Sequence, residues 1–199
     1  IHKATIIPRG RALGVVWTLP ERDKYSHSRE YLEANISKAM GGRIAEELIF
    51  GKDSVTTGAS NDIERATEIA RNMVTKWGLS EKLGPLTYSE EEGEVFLGRS
   101  VTQHKQVSDI TVKAIDDEVR KIIDRSYNDA SEIIKTNINR LHKMAEALIK
   151  YETLDENQIG DIMNDKEPKP PEGWDHSDDS SDDEEKKRDT KLGGHATQH

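Results

Sequence analysis

Cysteine is absent from all 199 residues, which excludes a disulfide framework and any thiolate metal site. Aromatic residues make up 5% and apolar residues 33%. That is low for a chain long enough to bury one core, so either part of it stays unpacked or the folded part leans on partners. Long apolar runs are missing too. The longest, Ala12 to Leu19, falls far short of the roughly 20 residues that span a bilayer. The chain begins at Ile1 without methionine, and no charged segment followed by an apolar one marks its start as a secretion signal. Basic charge is in deficit, with 29 Lys and Arg against 38 Asp and Glu and a formal net charge of -9. A nucleic-acid partner is therefore not expected, because phosphate binding needs clustered cations. No G-x-x-x-x-G-K-[ST] loop is present to cradle a nucleotide phosphate.

What is present reads as mainly α with a small β component. Ala4 to Ile7 and Ala12 to Leu19 are two short β segments joined by the turn Pro8-Arg9-Gly10, and Gly14 inside the second implies a bend or a close backbone approach. After Ser26 the apolar spacing becomes helical, through Leu32, Ile36, Met40 and Ile44. The pair Gly41-Gly42 inside that stripe is expected to serve close packing, and Gly51 to end the helix. The turn Thr56 to Asn61 is rich in potential N-caps. Behind it Ile63, Ala66, Ile69, Ala70, Met73, Val74 and Trp77 form one apolar face, closed near Gly78.

Residues 83–99 read as a hairpin around an acidic loop. A long helix starts at Ser108 and a second carries Leu141, Met144, Leu148 and Ile149. Thr153-Leu154-Asp155-Glu156 fits a capping box for a third helix running to about Met163. Three helices in succession predict a C-terminal helical bundle. Beyond Asp165, three prolines and an acidic run that includes Asp178, Asp179, Asp182 and Asp183 predict a disordered tail over 166–199.

Candidate chemistry is sparse. His195 and His199 are the one histidine pair at i, i+4, but Ala196 stands where a zinc protease carries its glutamate, and the pair lies in the predicted tail. Asp62 opens a helix. Its plain role is to complement the helix macrodipole, worth about 0.3–1 kcal/mol. Its sharper role is as one metal ligand among others supplied from elsewhere.

Four segments bear on that choice. They are Ile6–Gly14 (IIPRGRALG), Gly41–Glu47 (GGRIAEE), Thr57–Ile63 (TGASNDI) and Gly93–Arg99 (GEVFLGR), followed by Pro170–Trp174 (PPEGW). In order and spacing they resemble the signatures of FtsH-type peptidases, the bacterial members most closely, over residues 1 to 174. The resemblance implies a helical metallopeptidase domain over 1–165, partial because the family's H-E-x-x-H helix is expected upstream of Ile1. Zinc would be held by two histidines of that helix and by an aspartate of the TGASND segment, so Asp62 alone carries over as a ligand, and the general-base glutamate is expected upstream as well. Glu46 and Glu47 are candidates for hydrogen bonding to the metal-binding histidines, or else solvated helix residues. Leu13, Gly14, Val15, Val16 and Trp17 match the family's edge strand, which binds unfolded polypeptide by strand addition, or else form an ordinary core strand.

The same resemblance implies a whole protein that is an ATP-dependent zinc metalloendopeptidase. It would form a hexameric ring, bind ATP on an upstream module, and be anchored by an N-terminal segment at the cytoplasmic face of the bacterial inner membrane. It would degrade unfolded or misassembled proteins, with the present chain inactive on its own. The competing reading is a non-catalytic helical assembly or adaptor module with an acidic tail. An H-E-x-x-H motif upstream decides between them.

Overall fold

The computed structural model describes residues 1–10, 12–19, 26–88 and 107–171. They form two compact units, one from Pro20–Leu141 and one from the chain's two ends, Ile1–Leu19 and His142–His199. As expected, the architecture is mainly helical with one small antiparallel sheet.

In the helical unit, α1 (Arg29–Phe50) starts where the Ser28 hydroxyl accepts the Tyr31 N–H and ends at Gly51, whose φ of 82° suits glycine. Its inward residues Leu32, Ile36, Met40 and Ile44 recur every four positions, and all are buried. They share one core with Ala66, Ala70, Met73 and Val74 of α2 (Ser60–Thr75) and with Ile115, Ile122 and Ala130 of α3 (Asp109–Thr136). The glycine pair departs from expectation: Cβ atoms at Gly41 or Gly42 would meet nothing within 4 Å among the described residues. The apolar face of α2 is also narrower than its spacing predicts, since Trp77 lies past the helix end and is 48% exposed.

Hydrogen bonds fix the segment that follows α2. The buried Ser80 hydroxyl donates to the buried Glu118 carboxylate of α3 at 2.7 Å, and the Tyr88 N–H donates to the Thr75 carbonyl at 2.8 Å. Leu86-Thr87-Tyr88 is not strand, and the rest of the expected hairpin lies outside the described residues.

In the second unit, β1 (Lys3–Thr5) pairs antiparallel with β2 (Val15–Trp17) on one side and β3 (Thr153–Asp155) on the other. The expected hairpin of the first two segments is therefore present, with Ala4 opposite Val16 and β2 at the sheet edge. β3 was not anticipated. The proposed capping box sits two residues later than expected: Asp155 caps the Gln158 N–H, and the Gln158 side chain accepts the Asp155 N–H. This frees Thr153 to extend and pair with Thr5, hydroxyl to hydroxyl at 2.7 Å. Leu154 fills a core with Ala4, Ala147 and Tyr151 of α4 (Ile138–Tyr151), and Ile159 and Ile162 of α5 (Glu156–Met163).

Long α3 presents its apolar stripe to α1 and α2, while the end of α4 and the short α5 close over the sheet. Beyond Asp165 the chain stays tied to α5, because Gln158 Nε2 donates to the Lys169 carbonyl at 2.8 Å. Residues 172–199, including the His195/His199 pair and the acidic run, lie outside the described residues.

Gly78 and Gly84 separate two costs of replacing glycine. Both have left-handed φ, 61° and 72°, but a Cβ at Gly78 would lie 2.7 Å from the Pro85 Cα, whereas at Gly84 it meets nothing within 4 Å. Gly84→Ala is expected to cost about 1 kcal/mol from φ alone, and Gly78→Ala at least about 2–3 kcal/mol. Urea unfolding of the two variants measures the difference, and equal losses would contradict the close approach.

Candidate functional site

The turn joining α1 to α2 has almost no apolar anchor. Neither of its short 3-10 turns, Lys52–Ser54 and Thr57–Ala59, buries a residue other than Ala59. Polar contacts hold it instead. Glu46, in the last turns of α1, accepts the Thr56 N–H on Oε2 and the Thr56 hydroxyl on Oε1, each at 2.9 Å. The same hydroxyl oxygen accepts the Gly58 N–H at 3.2 Å, and Ser60 Oγ donates to the Thr57 carbonyl at 2.6 Å. Gly58 suits this crowding, since a Cβ there would sit 3.2 Å from Thr56 Oγ1. Bonds from the Thr56 backbone, then from its hydroxyl, hold the Glu46 carboxyl below the usual carboxylate range.

Asp62 stands in the first turn of α2, exposed, one turn before the first buried residue of the helix, Ala66. No hydrogen bond or ion pair to its carboxylate occurs among the described residues. Among the described residues, no three His, Cys, Asp or Glu side chains gather into a group that could hold a metal ion. The donor chemistry therefore fits one share of a zinc site, a single uncommitted carboxylate on a fixed turn, and no more.

Glu47 is placed differently from Glu46. It accepts the Tyr127 hydroxyl of α3 at 2.6 Å and pairs with Arg43 at 3.2 Å, tying α1 to α3. The Tyr127 bond, aided by Arg43, lowers the Glu47 carboxyl from its ordinary value. Burial, reinforced by Glu47, pushes the Tyr127 hydroxyl up to about 12. Both glutamates are thus engaged within the chain, and no histidine partner for either is among the described residues. Thr56 and Tyr127 were not singled out from sequence. The one available signal for Thr56 was its position among the hydroxyls and glycine before α2.

In the other unit, β2 has no strand partner on its outer side among the described residues. Val16 within it is 54% exposed and Leu13 before it 82%. Gly14 explains how the hairpin closes: a Cβ there would lie 2.9 Å from the Thr5 carbonyl oxygen. Arg9 stacks on the Trp17 ring at 5.2 Å.

The model of Peptidase family M41 matches residues 1–162, more than half of the chain. The chain belongs to this family. It is 60% identical over 180 residues to the ATP-dependent zinc metalloprotease FtsH of Photobacterium profundum, covering 90% of this chain and 26% of that protein. It is 56% identical over 174 residues to the protein of the same name from Haemophilus influenzae, covering 87% of this chain and 27% of that protein. To the one from Caulobacter vibrioides it is 47% identical over 169 residues, covering 85% and 27%. The chain therefore spans about a quarter of the length of these relatives. Among its described residues no helix is long and apolar enough to cross a membrane.

The Tyr127–Glu47 bond sets a pH dependence on this M41 chain. Glu47 titrates lower when folded, so its contribution is complete above the ordinary carboxylate range and lost as acid protonates it. Tyr127 titrates higher when folded, so its contribution holds below its ordinary 10.0 and fades as pH rises towards about 12. Tyr127→Phe is expected to cost about 1 kcal/mol near neutrality, with the deficit shrinking at both extremes. Urea midpoints of the two proteins from pH 4 to 11 test this, and a pH-independent gap would contradict it.

Proposed function

We propose that this chain is part of an ATP-dependent zinc metalloendopeptidase in which Asp62 supplies one protein ligand to the zinc. The observation that carries the reading is an exposed carboxylate without a partner among the described residues, on a helix start held by Glu46 and Thr56, in a member of Peptidase family M41. The relatives' shared name supports the metal and the ATP dependence. None of the 199 residues forms an H-E-x-x-H motif, so the histidine ligands and the general base belong to parts of the protein beyond them.

When bound, zinc supplies Lewis-acid activation of water and of the peptide carbonyl at neutral pH. The work of this chain is to present Asp62 in a fixed direction and to bind substrate. The outer edge of β2, with Leu13, Gly14, Val15, Val16 and Trp17, offers backbone groups to an extended polypeptide. Backbone pairing tolerates many sequences, which suits unfolded or misassembled proteins as substrates. Glu46 and Glu47 act by holding the turn and the helices rather than by touching the substrate. ATP is bound by a module outside these residues, the assembly is a hexameric ring, and an N-terminal anchor holds it at the cytoplasmic face of the bacterial inner membrane.

Asp62→Ala in the full-length protein is expected to abolish proteolysis while ATP hydrolysis stays within about twofold, because three protein ligands are needed to hold catalytic zinc. Degradation of casein at the normal rate by that variant would contradict the assignment. The 199-residue chain alone is expected neither to retain zinc through dialysis nor to cleave casein. Chelator-sensitive cleavage by it would show that the site is complete within these residues.

A further inference from the structure

Thr56 occupies a position that neither its type nor its exposure would single out. Its N–H and its hydroxyl go to different oxygens of one carboxylate, so a single residue is gripped at two points, backbone and side chain. The hydroxyl oxygen is then used again, as acceptor for the Gly58 N–H. One side chain thus joins the end of α1 to the 3-10 turn that opens α2, and Ser60 closes that turn onto Thr57.

Competing forces in this region are weak. The segment from Lys52 to Thr57 buries no residue, and the first turn of α2 buries none until Ala66. The helix axis is set by Ala66, Ala70, Met73 and Val74 against the core, whereas the turn leading to Asp62 has one small apolar anchor, the buried Ala59. A polar grip weighs on geometry where burial is this slight, because little packing opposes a shift.

We propose that Thr56 is a positioning residue for the metal ligand Asp62, acting through its two-point bond to Glu46 and its cap on Gly58. The proposal rests on the reading of Asp62 as a ligand. Glu46 and Thr56 do not touch the metal. They fix where the carboxylate is held, and a displaced ligand weakens binding without unfolding the domain.

The test uses full-length protein and zinc alone, without substrate or ATP, with affinity read by competition against a chelator. Thr56→Val keeps the shape but removes the hydroxyl, and is expected to weaken zinc binding ten- to a hundredfold. Thr56→Ser restores the hydroxyl and is expected to return affinity to within about threefold of the parent. Glu46→Gln, which keeps one acceptor, is expected to fall between. In metal-free protein, amide exchange at residues 57–60 should quicken about tenfold in Thr56→Val, while the thermal midpoint moves by less than about 3 °C. Parental zinc affinity and exchange in Thr56→Val, beside an Asp62→Ala variant that has lost zinc, would overturn this proposal alone. Zinc retained by Asp62→Ala would overturn the metal reading and the positioning role together.

Discussion

Glu46 receives two hydrogen bonds from Thr56, and through them the end of one helix dictates how the next begins. Solvent reaches this carboxylate, so its importance is geometric more than energetic, since exposed charge–dipole contacts contribute little net stability. The domain's stability comes from elsewhere, from Ile36, Ile44, Met73 and Val74, which are almost fully buried between α1 and α2. These two facts divide the labour. Apolar packing makes a rigid pair of helices, and a small polar device aims the exposed turn between them.

The candidate site residues lie where packing is thin. Asp62 stands on the least buried part of α2, and β2 on the least covered side of its sheet. Each is nevertheless held by local constraints: Thr56 and Gly58 before Asp62, Gly14 against the Thr5 carbonyl beside β2. A Cβ at Gly14 would press on that carbonyl at 2.9 Å, and one at Gly58 would crowd the Thr56 hydroxyl at 3.2 Å. The engaged glutamates complement this, Glu46 committed to the turn and Glu47 to Tyr127.

Much of this was legible from residue order, for physical reasons that differ by element. The stripe Leu32, Ile36, Met40 and Ile44 has the four-residue repeat of a buried helix face, so α1 could be read directly. The hairpin of β1 and β2 followed from two β-rich runs around Pro8-Arg9-Gly10. β3 was illegible because three residues, Thr153–Asp155, form a strand only when β1, about 150 positions away, lies beside them. The extent of an apolar face was also misjudged at Trp77, which is 48% exposed. Period alone does not say where a neighbouring helix ends. For the candidate site, Asp62 was proposed from its motif, whereas the Glu46–Thr56 contact joins residues whose side chains meet only once the chain has turned at Gly51.

The central claim concerns one carboxylate and one metal. It is tested most directly by a crystal structure of the zinc-loaded full-length protein, with the metal located by anomalous scattering at the zinc edge. The account predicts an Asp62 oxygen at about 2.0–2.2 Å from the zinc, beside two histidine nitrogens. Zinc bound with Asp62 turned to solvent, or held through a different carboxylate of this chain, would contradict it.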